Sequence, residues 1–195
     1  MGGGESEEAT RDSFFRYYGS WKCKTPHGKL YTLNFIDDCS QKAWIYIIKR
    51  KNEAYEHFKD WRALVKTEAG QRVIIFWTDN GGEYSSKEFE AYLQRQGIQH
   101  QVTAPYTSAQ NGKAEQLHQT LFNRACAIMS ENNFPQKLWG ECICTAAYIQ
   151  DHIPTRTIED MTPYEAYYSV RERGSLYGEF YDLKYGLFSF FLDKN

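Results

Sequence analysis

The sequence predicts an α/β fold in which helices flank a mixed β-sheet. Two patterns carry this prediction. Near the start of the chain, runs rich in β-branched and aromatic residues are separated by short turns, which is typical of antiparallel strands. Further along, short apolar runs alternate with segments of helical periodicity, as in sheets flanked by helices. The 195 residues, 42% hydrophobic and 25% charged, suffice for one globular core.

The first elements are predicted to form a meander of three strands. Residues 1–12 are Gly-rich and acidic, so we expect a flexible leader without the apolar stretch of a signal peptide. Phe14–Tyr18 fits a short strand. Leu30–Ile36 and Ala43–Ile48 are the clearest strands, and Asp37–Ser40 provides the turn between them.

The periodicity then changes to that of a helix. Apolar residues recur at helical spacing from Asn52, and Gly70 stands where a C-terminal cap is expected. Val73–Trp77 is predicted to be a buried strand, Ser86–Gln96 a helix and Ile98–Val102 another strand. The predicted sheet therefore has five strands.

The remainder up to residue 170 is predicted to be mainly helical. Thr103–Asn111 is a polar, proline-containing loop that leads into a helix from about Gly112 to Glu131. Another helix opens at Phe134-Pro135 and extends to Ile149. Thr162 and Pro163 suit the N-cap and the first position of a short final helix.

Composition excludes some classes of function. The longest apolar runs have about five residues, far fewer than the roughly 20 of a membrane-spanning helix, so we expect a nuclear or cytoplasmic protein with no membrane partner. A net charge of −2 gives no overall electrostatic reason for nucleic-acid binding. The five cysteines lack C-x-x-C spacing and are predicted to be reduced, buried thiols, with Cys142 and Cys144 on different helix faces.

Two acidic residues stand where a site would form. Asp79 ends a predicted buried strand and begins a Gly-rich turn, so its carboxylate would project into a cleft at the sheet edge. Taken alone, Asp-Asn-Gly-Gly is more typical of a plain turn. Glu115 lies roughly opposite the buried stripe of its helix, where a solvated glutamate is the usual occupant.

Together these segments resemble the catalytic core of copia-type (Ty1-like) retrotransposon integrases. The resemblance covers about Tyr17 to Tyr168, and 35 residues separate Asp79 from Glu115, the spacing between that family's second and third catalytic carboxylates. The motifs that carry it are TDNGGEY at Thr78–Tyr84, GI-x-H at Gly97–His100, TAPYT at Thr103–Thr107, QNG at Gln110–Gly112 and AE at Ala114–Glu115.

The resemblance implies an RNase H-like fold and a metal-dependent phosphoryl-transfer site. Three carboxylates would hold two Mg²⁺ or Mn²⁺ ions, and one site would perform both 3′-end processing and strand transfer of DNA. Asp79 matches the second carboxylate and Glu115 the third. A homodimer is expected by the same resemblance.

Contacts with DNA are expected around these two carboxylates. The candidate residues are Asn80, Gly81, Tyr106, Gln110, Asn111, Lys113 and His118. His118 shares a helix face with Glu115, and either a contact with DNA or metal or a plain surface histidine fits that position. The other nearby basic residues, Lys87, Arg95 and Arg124, are sparse.

The first carboxylate of the resembled family has no counterpart here. Its D-x-x-G pattern matches Arg16-Tyr17-Tyr18-Gly19, so Arg16 stands at the aspartate position. A positive charge a few ångströms from bound cations costs several kcal/mol in a partly buried site. Asp37 and Asp38 are interpreted as turn and strand-end residues instead.

Two hypotheses follow for this incomplete site. One is an integrase core with impaired catalysis. The alternative is a catalytically inactive, host-retained or decaying core that acts as a DNA-binding, protein-binding or dimerising module.

The predicted organisation is a leader over 1–12, a core-like domain over 13–170 and a tail over 171–195. The resemblance ends after Val170, and the tail is dense in aromatic residues. It is interpreted as an added packing element, a segment that binds a protein partner, or sequence translated past a break in an old element.

Overall fold

The structure is a computed structural model that describes residues 21, 23–69, 73–78, 87–102, 108–158, 161–169 and 186–189. For residues 69, 102, 108–115 and 186–189 it describes the backbone alone. The predicted strand Phe14–Tyr18 and the leader lie outside the described residues.

The predicted hairpin is confirmed. Strand β1 (Tyr31–Asp37) pairs antiparallel with β2 (Ala43–Ile48). In the turn, the Asp37 carboxylate accepts hydrogen bonds from the backbone N–H and the hydroxyl of Ser40, at 2.9 and 2.5 Å. Asp37 is therefore a turn residue, as the sequence indicated.

Three further strands complete a mixed sheet in the order β2-β1-β5-β3-β4. Strands β3 (Ile75–Thr78) and β4 (Gln99–Val102) run parallel to each other. Strand β5 (Gly186–Ser189) is parallel to β3 and antiparallel to β1, so it joins the two halves of the sheet. The mixed, five-stranded architecture agrees with the prediction.

The fifth strand comes from an unexpected part of the chain. Gly186–Ser189 belongs to the segment that the sequence interpretation set aside as a tail. Along Asn34–Asp37 it pairs with the edge of β1 that the predicted meander reserved for Phe14–Tyr18. Strand β5 was not predicted from the sequence, because pairing between strands some 150 residues apart leaves no local pattern.

Helices α1 (Ala54–Ala69) and α2 (Lys87–Arg95) cover one face of the sheet. Their core is unusually aromatic. Phe35 of β1 stacks on Trp61 of α1 with ring centroids 4.8 Å apart, and Phe58 meets Phe76 of β3 edge-on at 4.6 Å. These contacts explain why the apolar positions of α1 recur at helical spacing.

Helices α3 (Ser108–Glu131) and α4 (Trp139–Asp151) pack on the opposite face. Trp139 is fully buried, stacks on Trp21 and donates its indole N–H to the carbonyl oxygen of Cys23 at 2.9 Å. Helix α3 starts at Ser108, so the prediction of a loop through Asn111 is wrong for residues 108–111. The first helical turn therefore forms before the Asn-Gly pair.

The final helix, α5 (residues 163–169), begins as predicted. The Thr162 hydroxyl accepts the Glu165 backbone N–H at 3.0 Å, and the Glu165 carboxylate accepts the Thr162 backbone N–H at 3.0 Å. This reciprocal pair is a capping box. One-turn 3₁₀ helices at Lys51–Glu53, Gln136–Leu138 and Arg156–Ile158 complete the described elements.

None of the five cysteines, all of which lie in the described part of the chain, forms a disulfide. Cys142 is buried and Cys144 is exposed, so the two face different sides of α4 as predicted. The prediction of buried thiols is wrong for Cys39 and Cys144, which are exposed, and Cys23 and Cys126 are only partly buried.

Within the described part of the chain, no helix is both long and apolar enough to cross a membrane.

Candidate active site

The candidate site lies where β3 ends. Thr78 is the last residue of β3 and is 1% exposed, and Asp79 follows it in the chain. Asp79, Asn80, Gly81, Tyr106 and the degenerate position Arg16 lie outside the described residues.

Side chains of β3 alternate between the two helical layers. Phe76 belongs to the core beneath α1 and α2, and Thr78 bonds to His100, which packs against the same layer. Trp77 packs instead on the cluster of Ile36 and Ala43, on which Leu117 of α3 also packs. Trp77 therefore lies on the side of the sheet that is covered by the helix carrying Glu115.

A chain of polar contacts holds the end of β3 from the α2 side. His100 Nε2 lies 2.8 Å from Thr78 Oγ1, and His100 Nδ1 lies 2.5 Å from a carboxylate oxygen of Glu90 in α2. The sequence interpretation used His100 only as part of the GI-x-H motif and missed Thr78 and Glu90. The spacing of the GI-x-H motif was the feature of the sequence that could have indicated Thr78 and Glu90.

The local fold explains that motif. Gly97 has φ +69°, a left-handed conformation that glycine adopts without the penalty of a Cβ, and it ends α2. The backbone N–H of Ile98 then bonds to the Leu93 carbonyl oxygen at 2.9 Å, and the Ile98 side chain enters the core. Two residues later, His100 points to the same side of the sheet.

Helix α3 brings a second group of candidate residues together. Gln110, Asn111, Lys113 and Glu115 lie along its first turns, where the backbone alone is described. His118 follows one turn after Glu115 and is 6% exposed. The interpretation of His118 as a surface histidine is therefore wrong, because this side of α3 is turned toward the sheet.

His118 anchors the helix to strand β1 of the sheet. Its Nδ1 lies 3.1 Å from the side-chain amide nitrogen of Asn34 in β1. An amide nitrogen only donates hydrogen bonds, so Nδ1 accepts this one and the ring is neutral. Burial lowers the pKa of His118 to about 4, which removes its charge at neutral pH. His118 therefore offers no positive charge to a phosphate.

Only part of the expected metal site lies among the described residues. They contain no cluster of three or more His, Cys, Asp or Glu side chains that could hold a metal. The side-chain oxygen of Asn34 is buried and has no hydrogen-bond partner among the described residues. It is an oxygen acceptor of the type that hard divalent cations prefer. Two carboxylates together with such an oxygen would fit one divalent cation.

Two other buried carboxylates have structural roles. Burial raises the pKa of Asp37 and of Asp151 above the usual range. Asp151 of α4 accepts the Ala43 backbone N–H at 3.1 Å and lies 3.4 Å from the Lys42 ammonium group. These contacts fasten α4 to the start of β2.

The basic and aromatic residues near the site are sparse or packed. Lys87 and Arg95 are exposed, whereas Arg124 donates a hydrogen bond to the Gln150 side-chain oxygen at 2.5 Å. Tyr92 lies against the aromatic core and accepts a hydrogen bond from Arg62 at 3.1 Å. Tyr92 is therefore a packing residue, as its spacing predicted.

Comparisons with known proteins agree on one family. Residues 18–108 match the family described as Integrase core domain. Over 137 residues the sequence is 36% identical to the retrovirus-related Pol polyprotein from transposon TNT 1-94 of Nicotiana tabacum, a match that covers 70% of this chain and 10% of that protein. It is 26% identical over 135 residues to the polyprotein from transposon RE1 of Arabidopsis thaliana, covering 69% and 9%. This chain thus spans about a tenth of the length of these relatives.

Solved structures support the same fold. The HTLV-2 integrase catalytic core domain in complex with magnesium, in its trimeric form, superposes with a TM-score of 0.55 at 17% identity and covers 74% of this chain and 89% of that one. A simian T-cell lymphotropic virus intasome in complex with the PP2A regulatory subunit B56 gamma gives a TM-score of 0.59 at 23% identity, covering 74% and 50%. These likenesses confirm the RNase H-like fold.

Proposed function

Since the chain is a copia-like integrase core of a retrotransposon Pol polyprotein, we propose that it acts on DNA through Asp79, Glu115 and a divalent cation, with impaired catalysis. In this proposal Arg16 weakens the site because it stands where the family has its first carboxylate. End processing and strand transfer of DNA are the reactions affected.

The hydrogen bond between Asn34 and His118 carries the proposal. It fastens α3 over β1, and Glu115 lies one helical turn, roughly 5 Å, before His118. The order of the strands supplies the other half of the argument. Asn34 pairs with Ser189, and Trp77 pairs with Leu187.

In the sheet, β3 lies two strands away from β1, and Trp77 of β3 packs on the same cluster as Leu117 of α3. Asp79 follows β3 in the chain, and Glu115 lies in α3. The proximity of these two elements supports a shared cleft for Asp79 and Glu115.

The residues at this cleft suit a single Mg²⁺ or Mn²⁺ ion. Such a cation, when bound, stabilises charge on phosphate oxygens and lowers the pKa of an attacking water or 3′-hydroxyl. Asp79 and Glu115 would hold it through carboxylate oxygens. The hydrogen bond between Asn34 and His118 fastens this part of α3 to β1.

Impairment follows from charge. A second cation would require a further carboxylate, and the resemblance matches that position to Arg16. The strand that lies between β1 and β3 is Gly-Leu-Phe-Ser, so it contributes no acidic residue either. Fewer negative charges and one added positive charge weaken the affinity for cations.

We propose that DNA contacts the start of α3 and the segments that follow β3 and β4 in the chain. Asn80, Gly81, Tyr106, Gln110, Asn111 and Lys113 are the candidate contacts. Lys113 would pair with a phosphate, and Tyr106 would stack on a base. The neutral His118 would not contribute a charge to this surface. A DNA substrate places the action in the nucleus or, before nuclear entry, in the cytoplasm.

The composition of β5 also favours a second candidate function. Because the central strand has no acidic residue, a non-catalytic core that binds DNA or protein, or dimerises, is the alternative. A homodimer is proposed for either function. The rest of segment 171–195 remains a candidate for binding a protein partner.

Direct titration with Mn²⁺ tests the proposed site. Electron paramagnetic resonance of free Mn²⁺ gives the dissociation constant for the wild type, Asp79→Asn and Glu115→Gln. Each variant should bind about fivefold or more weakly, since one charge about 4 Å away is worth about 1 kcal/mol even in water. Glu131→Gln, at the far end of α3, is the matched control and should bind like the wild type. Equal affinity in all four proteins would refute the site.

A further inference from the structure

The end of β3 is held by a polar relay made of Glu90, His100 and Thr78. It crosses three elements, because Glu90 lies in α2, His100 in β4 and Thr78 at the last position of β3. The two distances, 2.5 Å from Glu90 to His100 and 2.8 Å from His100 to Thr78, make both links hydrogen bonds.

Hydrogen bonds at both ring nitrogens fix the orientation of His100. A carboxylate oxygen of Glu90 lies at Nδ1, and the Thr78 hydroxyl lies at Nε2. A hydroxyl can both donate and accept, so the contact with Thr78 forms in either direction. The relay therefore couples the rotamer of Thr78 to Glu90 through His100.

Aromatic packing surrounds part of the relay. The His100 ring packs against two aromatic side chains, with its centroid 5.7 Å from that of Phe76 and 6.3 Å from that of Phe89. The His100 side chain is 9% exposed and that of Glu90 is 40% exposed, so the relay runs from solvent to the buried strand end. Moving the Thr78 hydroxyl would break its hydrogen bond to His100, and this loss costs more free energy where water is largely excluded.

We propose that His100 and Glu90 are positioning residues that fix the end of β3, through Thr78, so that the following residue, Asp79, presents its carboxylate to a divalent cation. This inference rests on the proposed function. According to this inference, metal binding requires more than the two carboxylates. It also requires the relay, which lies on the face of the sheet opposite α3. Anchors of this kind hold metal ligands in orientation without touching the metal.

Thr78→Val is the central test, since it removes the hydroxyl and keeps the β-branched shape that suits a strand. We expect the dissociation constant for Mn²⁺, measured by electron paramagnetic resonance, to rise about tenfold. The melting temperature should fall by no more than about 4 °C. Thr67→Val, on the exposed surface of α1, is the matched control and should leave the dissociation constant for Mn²⁺ unchanged.

A second variant covers the case in which Thr78→Val fails to fold. Glu90→Gln keeps an acceptor oxygen at the more exposed end of the relay, so it should fold and weaken Mn²⁺ binding by a smaller factor in the same direction. His100→Asn retains an amide donor near the Nδ1 position and loses the bond to Thr78, so it should resemble Thr78→Val.

The outcomes separate this inference from the proposed function. If Asp79→Asn binds Mn²⁺ as tightly as the wild type, the proposed site fails and the relay role fails with it. If Asp79→Asn weakens binding whereas folded Thr78→Val or Glu90→Gln does not, the relay role alone is overturned. A fall in melting temperature with unchanged affinity also overturns it, because that result would make the relay merely structural.

Discussion

At the scale of single residues, His118 shows how burial decides chemistry. Its position one turn after Glu115 fits a DNA contact, yet its ring is enclosed beside Asn34 and is neutral. The sequence pattern did not predict this burial, since Leu117 and Leu121 define a stripe that His118 only borders. Strand β1 supplies the missing information, because an inward asparagine requires a polar partner.

The lowered pKa of His118 predicts a pH dependence of stability. The folded-state pKa is about 4 and the ordinary value is 6.5, so between these pH values the unfolded chain binds more protons. The free energy of unfolding contributed by His118 should therefore fall as the pH drops from 6.5 toward 4, by about 3 kcal/mol in total. Urea unfolding of the wild type and His118→Gln across this range measures the difference.

Asp37 and Asp151 titrate in both proteins, so their contributions cancel in that comparison. His27→Gln, in an exposed turn, is the control and should keep the pH dependence of the wild type. A His118→Gln variant whose stability has the same pH dependence as the wild type would show that His118 is not held neutral.

At the scale of elements, the helices and strands set by local patterns could be predicted, whereas a strand placed by long-range pairing could not. The hairpin, α1, α2 and the capping box at Thr162 follow from residues close in sequence, and all of them form. Strand β5 could not be found this way. Its partners Asn34 and Phe76 lie more than a hundred residues away, and an aromatic-rich segment of the tail has no periodicity of its own.

The central position of β5 predicts a strong effect of proline. Leu187→Pro removes a backbone N–H and restricts φ in a strand paired on both sides, so it should lower the free energy of unfolding, by about 1 kcal/mol for each ladder bond lost. Leu187→Val keeps the backbone donor and suits a strand, and it is the control. Thermal unfolding by circular dichroism would contradict the pairing of β5 if the two variants melted together.

At the scale of the whole molecule, the fold was predictable and the completeness of the site was not. Motifs such as TDNGGEY and QNG predict the family and the fold, and both are confirmed. The site depends on a third carboxylate whose matching position, Arg16, is outside the described residues. Catalysis by the two remaining carboxylates depends on the charge at position 16, and no motif of the sequence predicts its effect on activity.

Nicking of a labelled DNA duplex in Mg²⁺ and in Mn²⁺ shows whether Arg16 impairs an otherwise functional site. The proteins compared are the wild type, Arg16→Asp, Glu115→Gln and the double variant Arg16→Asp/Glu115→Gln. We expect weak or no cutting by the wild type, a clear gain in Arg16→Asp and loss of that gain in the double variant. Full activity in the wild type, no gain in Arg16→Asp, or equal cutting by Arg16→Asp and the double variant would contradict impairment at Arg16.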